Sequence, residues 1–174
     1  MFSVNQGAFK IVEELMSNPE YYGVKVEKVE GGGTIIDAGV KVRGGYEAGL
    51  RITEICMGGL GKAYLTVRRY EDLLLPTVVV YSDEPCVATL GAQFAGWRIK
   101  VGDFFALGSG PARALSQQPK ELYAKIGYKD ESDVAVIVFE TDKYPSADVF
   151  KYVADKCGVE PSGVYAVITP TSSI

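Results

Sequence analysis

The 174-residue sequence contains no histidine. A Ser-His-Asp triad, a Cys-His pair, a histidine general base and a histidine-ligated metal are therefore excluded within this chain. Any proton transfer that the chain performs must be carried out by Asp, Glu, Lys, Tyr or Cys side chains.

Cysteine, long apolar segments and clustered positive charge are also scarce. Cys56, Cys86 and Cys157 form no C-x-x-C pair, so we expect buried free thiols, without a disulfide framework or a zinc site. No segment is long and apolar enough to predict a membrane span, and the N-terminus has no basic region, so we expect a cytoplasmic protein without a membrane partner. The net charge of −4 and the lack of a basic stripe argue against nucleic acid and favour a small-molecule ligand.

What the sequence does contain is a regular alternation of apolar patterns. With 47% hydrophobic residues it can bury the core of one domain or two small ones. The patterns predict helices at 4–17, 46–57, 82–96, 111–115, 120–126 and 146–157, and strands at 24–29, 34–37, 63–67, 77–81, 97–101, 134–139 and 164–169. The first two strands suggest a hairpin, and the last strand–helix–strand unit suggests a parallel crossover. We therefore predict a mixed α/β fold, with some α+β character, in which helices flank a sheet and a sub-boundary lies near residues 97–110.

The C-terminal residues resemble the start of another element. Thr171, Ser172 and Ser173 form a helix N-cap signal with no helix after it, so we expect the sequence to be a truncated piece.

A glycine-rich loop at 108–113 is a candidate anion site. Gly108 and Gly110 bracket Ser109, and Pro111 opens a short helix that carries Arg113. Backbone N–H groups, a hydroxyl, a helix N-terminus and a guanidinium could converge there on an anionic ligand. The alternative is a tight strand-to-helix turn in which glycine serves only the backbone.

A second glycine cluster spans residues 58–62 and is not a nucleotide loop. A P-loop would require glycine at 56 and Ser or Thr at 63, where the sequence has Cys56 and Ala63. The G-x-G-x-x-G fingerprint fails in both clusters, because Tyr64 and Arg113 stand at the third glycine position.

Two carboxylates are candidate site groups. Asp37 ends an apolar strand and either binds its own turn backbone or is presented at the strand end. Glu47, Arg51 and Glu54 share one helix face, either as a solvated ion-pair ladder or as a carboxylate held beside an arginine in a cleft.

Six strings taken together resemble one family, the methenyltetrahydromethanopterin cyclohydrolases, which are archaeal and methylotroph enzymes of one-carbon metabolism. The resemblance runs from end to end of the chain. The strings are Gly32–Gly39, Tyr46–Leu50, Cys56–Gly61, Ala95–Trp97, Gly108–Ala114 and Lys143–Pro145.

The resemblance implies hydrolysis of 5,10-methenyltetrahydromethanopterin to 5-formyltetrahydromethanopterin, in methanogenesis or in formaldehyde and CO2 interconversion. It also implies a two-domain cleft, a homotrimer, and a pterin carrier that is the substrate, with no cofactor and no metal. This chain would be the N-terminal portion of the enzyme, over residues 1–174, and the C-terminal portion would be absent. The family's glutamate and neighbouring arginine for proton chemistry would then lie beyond Ile174.

The site residues follow from both lines of reasoning. Asp37 and Glu54 are the catalytic candidates, since a cationic substrate favours nearby acidic groups. The substrate-binding candidates are Gly58, Gly59, Gly61, Lys62, Gln93, Gly108, Ser109, Gly110 and Arg113. Two alternatives remain: a non-catalytic pterin-binding or oligomerisation module, and a carboxylate-based hydrolase of another cyclic amidine.

Overall fold

The computed structural model describes residues 2–171, so the predicted N-cap signal at Ser172 and Ser173 lies outside the described residues. The strands are β1 Lys25–Lys28, β2 Thr34–Asp37, β3 Gly61–Tyr70, β4 Leu73–Ser82, β5 Trp97–Val101, β6 Phe104–Ser109, β7 Ala135–Glu140 and β8 Val164–Thr169. The α-helices are α1 Val4–Ser17, α2 Pro19–Tyr22, α3 Tyr46–Cys56, α4 Ala112–Ser116, α5 Lys120–Ile126 and α6 Ala147–Cys157. A π-helical segment spans Val87–Gln93.

Six of these strands form a mixed sheet in the order β1-β2-β8-β7-β6-β5. The predicted hairpin is confirmed, because β1 pairs antiparallel with β2. The predicted crossover is also confirmed, because α6 connects β7 to β8 and these two strands run parallel. The predicted mixed α/β class is therefore correct.

Local sequence signals explain where the helices begin and end. The Ser3 hydroxyl accepts a hydrogen bond from the Gln6 amide and so caps α1, as its sequence predicts. Gly158 adopts a left-handed conformation after α6 and ends that helix. None of the helices within residues 2–171 is long and apolar enough to cross a membrane.

Helices cover the sheet on both faces. The side chains of α1 and α3 pack with Ile36, Val136 and Val167 on one face. Those of α6 pack with Ile35, Ile137 and other buried residues on the opposite face. Alternate residues of β7 are therefore buried on opposite faces of the sheet. Because both faces are covered, the strand is apolar without interruption. Trp97 belongs to this core and is 3% exposed.

The structure differs from the sequence predictions in several places, and α2 and β6 were not predicted. β3 and β4 are longer than predicted and pair with each other in a separate two-stranded sheet. The predicted helix at 82–96 is π-helical over Val87–Gln93, and its first residue, Ser82, belongs to β4. Cys86 is exposed, against the expectation of buried thiols. The sub-boundary near 97–110 stays a prediction, although β5 and β6 belong to the same sheet as their neighbours.

Candidate functional site

The loop at 108–113 is hydrogen-bonded to the end of the π-helical segment. The Ser109 hydroxyl donates a hydrogen bond to the Gln93 carbonyl, and the Gly110 amide donates to the Ala92 carbonyl at 3.0 Å. Gly110 has φ +92°, a conformation that favours glycine. The structure thus brings Gln93 together with Gly108, Ser109 and Gly110, as a tight turn between β6 and α4.

Arg113 lies inside the protein and not on the surface of this loop. Its side chain is 0% exposed, and its guanidinium donates to the carbonyl oxygens of Gln118 at 3.0 Å, Ala92 at 3.1 Å and Leu90 at 3.4 Å. Burial lowers the pKa of Arg113. Its substrate-binding role stays a prediction, and it requires the guanidinium to leave these carbonyls.

The second glycine cluster packs against the first turns of α1. A Cβ at Gly58 would approach Val4, and one at Gly59, which has φ +73°, would lie 2.8 Å from the backbone of Gly7. A Cβ at Gly61 would collide with the side chain of Met57. Close packing therefore accounts for glycine at these positions, and their ligand-binding role stays a prediction.

Glu54 is a buried carboxylate at the junction of α3 and β3. It is 2% exposed and accepts hydrogen bonds from the Arg51 guanidinium at 2.8 Å and the Ala63 amide at 3.0 Å. The exposed Lys62 ammonium lies 3.7 Å from it. The predicted pairing of Arg51 with Glu54 is thus present, but Glu54 is buried and not part of a solvated ladder.

Arg51 extends this contact to α1. Its Nε lies 3.3 Å from Glu14, which also accepts a hydrogen bond from the Tyr22 hydroxyl. The cluster of Glu14, Tyr22, Arg51, Glu54 and Lys62 therefore joins three helices to the start of β3.

Asp37 has the turn conformation that its sequence allows. Its carboxylate accepts hydrogen bonds from the amides of Gly39, Val40 and Lys41 at 3.0, 2.7 and 2.8 Å. The Tyr144 hydroxyl donates to it at 2.6 Å. Burial alone would raise the pKa of Asp37, but these hydrogen bonds outweigh it and hold the pKa below its usual value. All of these hydrogen-bond donors are groups of the protein itself. The catalytic role of Asp37 therefore stays a prediction.

The strand register shows how far Asp37 lies from the glycine loop. Asp37 is aligned with Ile168, Ile168 with Phe139, and Phe139 with Gly108. Three strand spacings separate Asp37 from Gly108, which corresponds to about 14 Å. Asp37 and the loop therefore do not share a hydrogen-bonded cluster.

A concave pocket lies next to the loop, at the last turn of α3. Its volume is about 330 Å³, and α3, the base of the β3–β4 hairpin and the π-helical segment form its walls. Its lining residues are Thr53, Met57, Val80, Tyr81, Ser82, Pro85, Thr89 and Gln93. π-Helical turns occur frequently at functional sites, and this one carries Gln93 to the pocket.

The end of α3 lies against the 108–113 loop close to this pocket. Loss of hydration raises the pKa of Cys56, on α3, to about 11, while a hydrogen bond with the Ser109 side chain acts in the opposite direction. The end of α3, which precedes the 58–62 cluster, therefore contacts the 108–113 loop. Among the site candidates, Gln93 lines the pocket directly.

Sequence reasoning missed most of the pocket lining. Thr53, Tyr81 and Thr89 come from three elements and share no spacing pattern. The signals present in the sequence were Gln93, which is one of the substrate-binding candidates, and Met57, which is part of the Cys56–Gly61 string. Within residues 2–171, no group of three or more Cys, Asp or Glu side chains is arranged to hold a metal ion.

Comparison with known proteins places the chain in a family. A model of the family described as cyclohydrolase (MCH) matches residues 3–174. Three relatives are each named methenyltetrahydromethanopterin cyclohydrolase: those of Methanococcoides burtonii (45% identical), Methanocaldococcus jannaschii (46%) and Methanothermobacter thermautotrophicus (47%). Each match covers 100% of this chain and 54 to 55% of the relative, so the chain spans about half the length of these relatives. The chain therefore belongs to the MCH cyclohydrolase family.

Proposed function

We propose that the protein carrying this chain hydrolyses 5,10-methenyltetrahydromethanopterin to the 5-formyl carrier, and that this chain supplies part of the substrate-binding surface. The observation that carries the proposal is the family match over residues 3–174, with relatives of that name at 45 to 47% identity. Residues of the resembling strings also lie at the pocket and at the loop beside it.

The proposed reaction needs water and proton transfer. The methenyl carbon of the cationic amidine is already electrophilic, so water adds to it and transfers one proton to a base. The adduct then collapses with cleavage of one ring C–N bond, which leaves a formyl group on the other nitrogen and releases a proton overall. We propose on this chemistry that the carrier is the substrate and that no cofactor takes part.

The pocket lined by Met57, Tyr81 and Gln93 suits a flat heterocycle. Among the lining residues, Met57 and Val80 offer apolar contact, and Tyr81 and Gln93 carry hydrogen-bonding groups. The exposed Lys62, beside the hairpin base, is a reasonable partner for the anionic tail of the carrier.

We place the base for the reacting water outside the set of Asp37 and Glu54. Both carboxylates accept hydrogen bonds from donors of the protein itself, and Glu54 also pairs with Arg51. The resemblance assigns proton chemistry to a glutamate and an arginine beyond Ile174. In this proposal the present chain binds substrate and the second half of the enzyme moves the proton.

Both Asp37 and Glu54 are hydrogen-bonded within the protein, and this favours a second candidate, a non-catalytic pterin-binding or oligomerisation module. A homotrimer and a cytoplasmic location are part of the main proposal by family resemblance, and both stay predictions.

The product of the complete coding sequence tests these candidates. We expect it to consume the methenyl carrier, which is followed by the loss of its absorbance. Calorimetry with the same carrier distinguishes the second candidate: saturable binding without consumption supports the module. A product that neither binds nor consumes the carrier would contradict both.

A further inference from the structure

The last turn of the π-helical segment forms part of the pocket wall. The amide of Phe94, the residue that ends the segment, donates a hydrogen bond to the Thr89 carbonyl at 2.8 Å. Thr89 and Gln93 lie within this turn, and both line the pocket. The conformation of this one turn therefore sets where two of the pocket residues lie.

Two side chains from outside the segment bind three consecutive carbonyls of this turn. Carbonyls at the end of a helix have no partner within the helix and must be satisfied from elsewhere. The Arg113 guanidinium donates to the carbonyls of Leu90 at 3.4 Å and Ala92 at 3.1 Å. The Tyr123 hydroxyl donates to the carbonyl of Gly91, between them, at 2.8 Å. Arg113 and Tyr123 therefore fix the backbone that leads directly into Gln93.

Arg113 and Tyr123 are buried behind the segment and are not part of the pocket wall. Arg113 is 0% exposed and Tyr123 is 3% exposed. Neither belongs to the pocket lining within residues 2–171. Both side chains therefore reach the pocket only through the backbone that they bind.

The surroundings of the guanidinium suit arginine and not lysine. Its carbon lies 5.3 Å from the centre of the Phe94 ring and 5.5 Å from that of Tyr123. It also donates to the Gln118 carbonyl at 3.0 Å, in addition to the two carbonyls of the π-helical turn. A planar fork can bind several acceptors and lie against aromatic rings at once, whereas a lysine ammonium is a point charge. Replacing Arg113 with lysine therefore keeps the charge and removes the fixed geometry.

We propose that Arg113 and Tyr123 are positioning residues, which hold the end of the π-helical segment so that the Gln93 side chain lies against the bound carrier. Neither residue touches the carrier. The inference rests on the proposed function, because it requires the pocket to receive the carrier. It differs from the substrate-binding role predicted for Arg113, in which the guanidinium leaves these carbonyls.

A double-mutant cycle tests whether Arg113 acts through Gln93. Arg113→Lys is introduced into the product of the complete coding sequence, with and without Gln93→Ala. We expect Arg113→Lys alone to raise KM for the methenyl carrier about fivefold with little change in kcat, and to raise it no further beside Gln93→Ala. The matched control is Arg68→Lys, at an exposed position near the tip of the β3–β4 hairpin, which should leave both constants unchanged.

Amide hydrogen exchange supplies a readout that needs no substrate. The Phe94 amide is bonded to the Thr89 carbonyl, so its exchange reports on the opening of the last turn. We expect Arg113→Lys to accelerate this exchange about tenfold or more, while the amides of β7 keep their rates.

Tyr123→Phe provides a second variant if Arg113→Lys does not fold. It removes the hydroxyl that binds the Gly91 carbonyl and keeps the ring beside the guanidinium. We expect smaller changes of KM and of Phe94 exchange in the same direction, again with no further rise of KM beside Gln93→Ala. Tyr152→Phe, on α6, is the matched control and should change neither quantity.

Three results would overturn the inference. The first is an unchanged KM in Arg113→Lys. The second is a KM that rises by the same factor with and without Gln93→Ala, which would mean that the guanidinium contacts the carrier itself. The third is unchanged exchange of the Phe94 amide in both Arg113→Lys and Tyr123→Phe. An unsubstituted product that neither binds nor consumes the carrier would contradict the proposed function, and hydrogen exchange would then still decide whether the two residues hold the segment.

Discussion

At the scale of single residues, Asp37 is held by more hydrogen bonds than its position in the sequence reveals. A short strand that ends in Asp-Ala-Gly predicts a turn, and the three backbone amides that bind the carboxylate follow from that. The Tyr144 hydroxyl comes from a position 107 residues away, which no local pattern indicates.

The Asp37 carboxylate should make stability depend on pH. Its pKa is lowered in the folded protein, so its contribution is present above the unfolded value of about 4 and is lost as pH falls through the folded pKa. We expect Asp37→Asn to lower the free energy of unfolding by about 2–4 kcal/mol at pH 7, since an amide cannot accept all these bonds. Urea unfolding at pH 7 and at pH 2–3 measures the difference.

The exposed Asp142→Asn is the control for this experiment and should change little at either pH. The cost of Asp37→Asn should shrink in acid, because the carboxyl group of the unsubstituted protein is then protonated as well. A cost that is the same at both pH values would show that the charge of Asp37 does not stabilise the fold.

Arg113 illustrates a residue type whose role the sequence leaves open. An arginine just inside a helix that follows a glycine loop is typical of an anion site, and the same spacing also suits a tight turn. The carbonyls that it binds, at Leu90, Ala92 and Gln118, belong to a π-helical turn and a loop whose positions depend on tertiary packing. The burial of Arg113 could not be predicted from the sequence, because it depends on how those elements pack in the folded chain.

At the scale of elements, the hydrophobic periodicity predicted the helices and strands that bury one face against the core or carry a clear capping residue. The spacing of Ala8, Ile11, Val12 and Leu15 is that of a helix packed on a sheet, and all four are buried. The hairpin β3–β4 was missed as a unit because its apolar residues have no core to face, so their pattern resembles two separate buried strands. The π-helical turn was missed because its sequence is compatible with an ordinary helix.

The packing of α3 against α1 gives a prediction with a built-in control. Gly59→Ala should destabilise the protein by about 2 kcal/mol or more, because Gly59 has φ +73° and its new Cβ would lie 2.8 Å from the Gly7 backbone. Gly49→Ala, within α3 and with open space around it, should stabilise by up to about 1 kcal/mol. Thermal and urea unfolding of both variants measure these changes.

If Gly59→Ala lowers the stability and Gly49→Ala raises it, close packing is the reason for glycine at position 59. If Gly59→Ala were as stable as the unsubstituted chain and bound the methenyl carrier poorly, the glycine would serve a ligand and not the packing of α1.

At the scale of the whole molecule, the sequence predicted the class and the family. The strand–helix–strand unit at the C-terminal end and the hairpin near the N-terminal end predict a mixed sheet, and both units join it. The pocket could not be predicted, because α3, the hairpin base and the π-helical segment are neighbours only in the folded chain. The resemblance predicted the family because it rests on strings along the whole sequence.

The most direct test of the account is the steady-state kinetics of Gln93→Ala in the product of the complete coding sequence, with the methenyl carrier as substrate. The Gln93 side chain is exposed in the pocket, while its backbone carbonyl, which holds Ser109, is kept in the variant. We predict a rise in KM of about tenfold with little change in kcat, corresponding to about 1.4 kcal/mol of lost binding. Lys10→Ala, on the exposed side of α1, should leave both constants unchanged. An unchanged kcat/KM in Gln93→Ala would contradict the claim that this pocket receives the carrier.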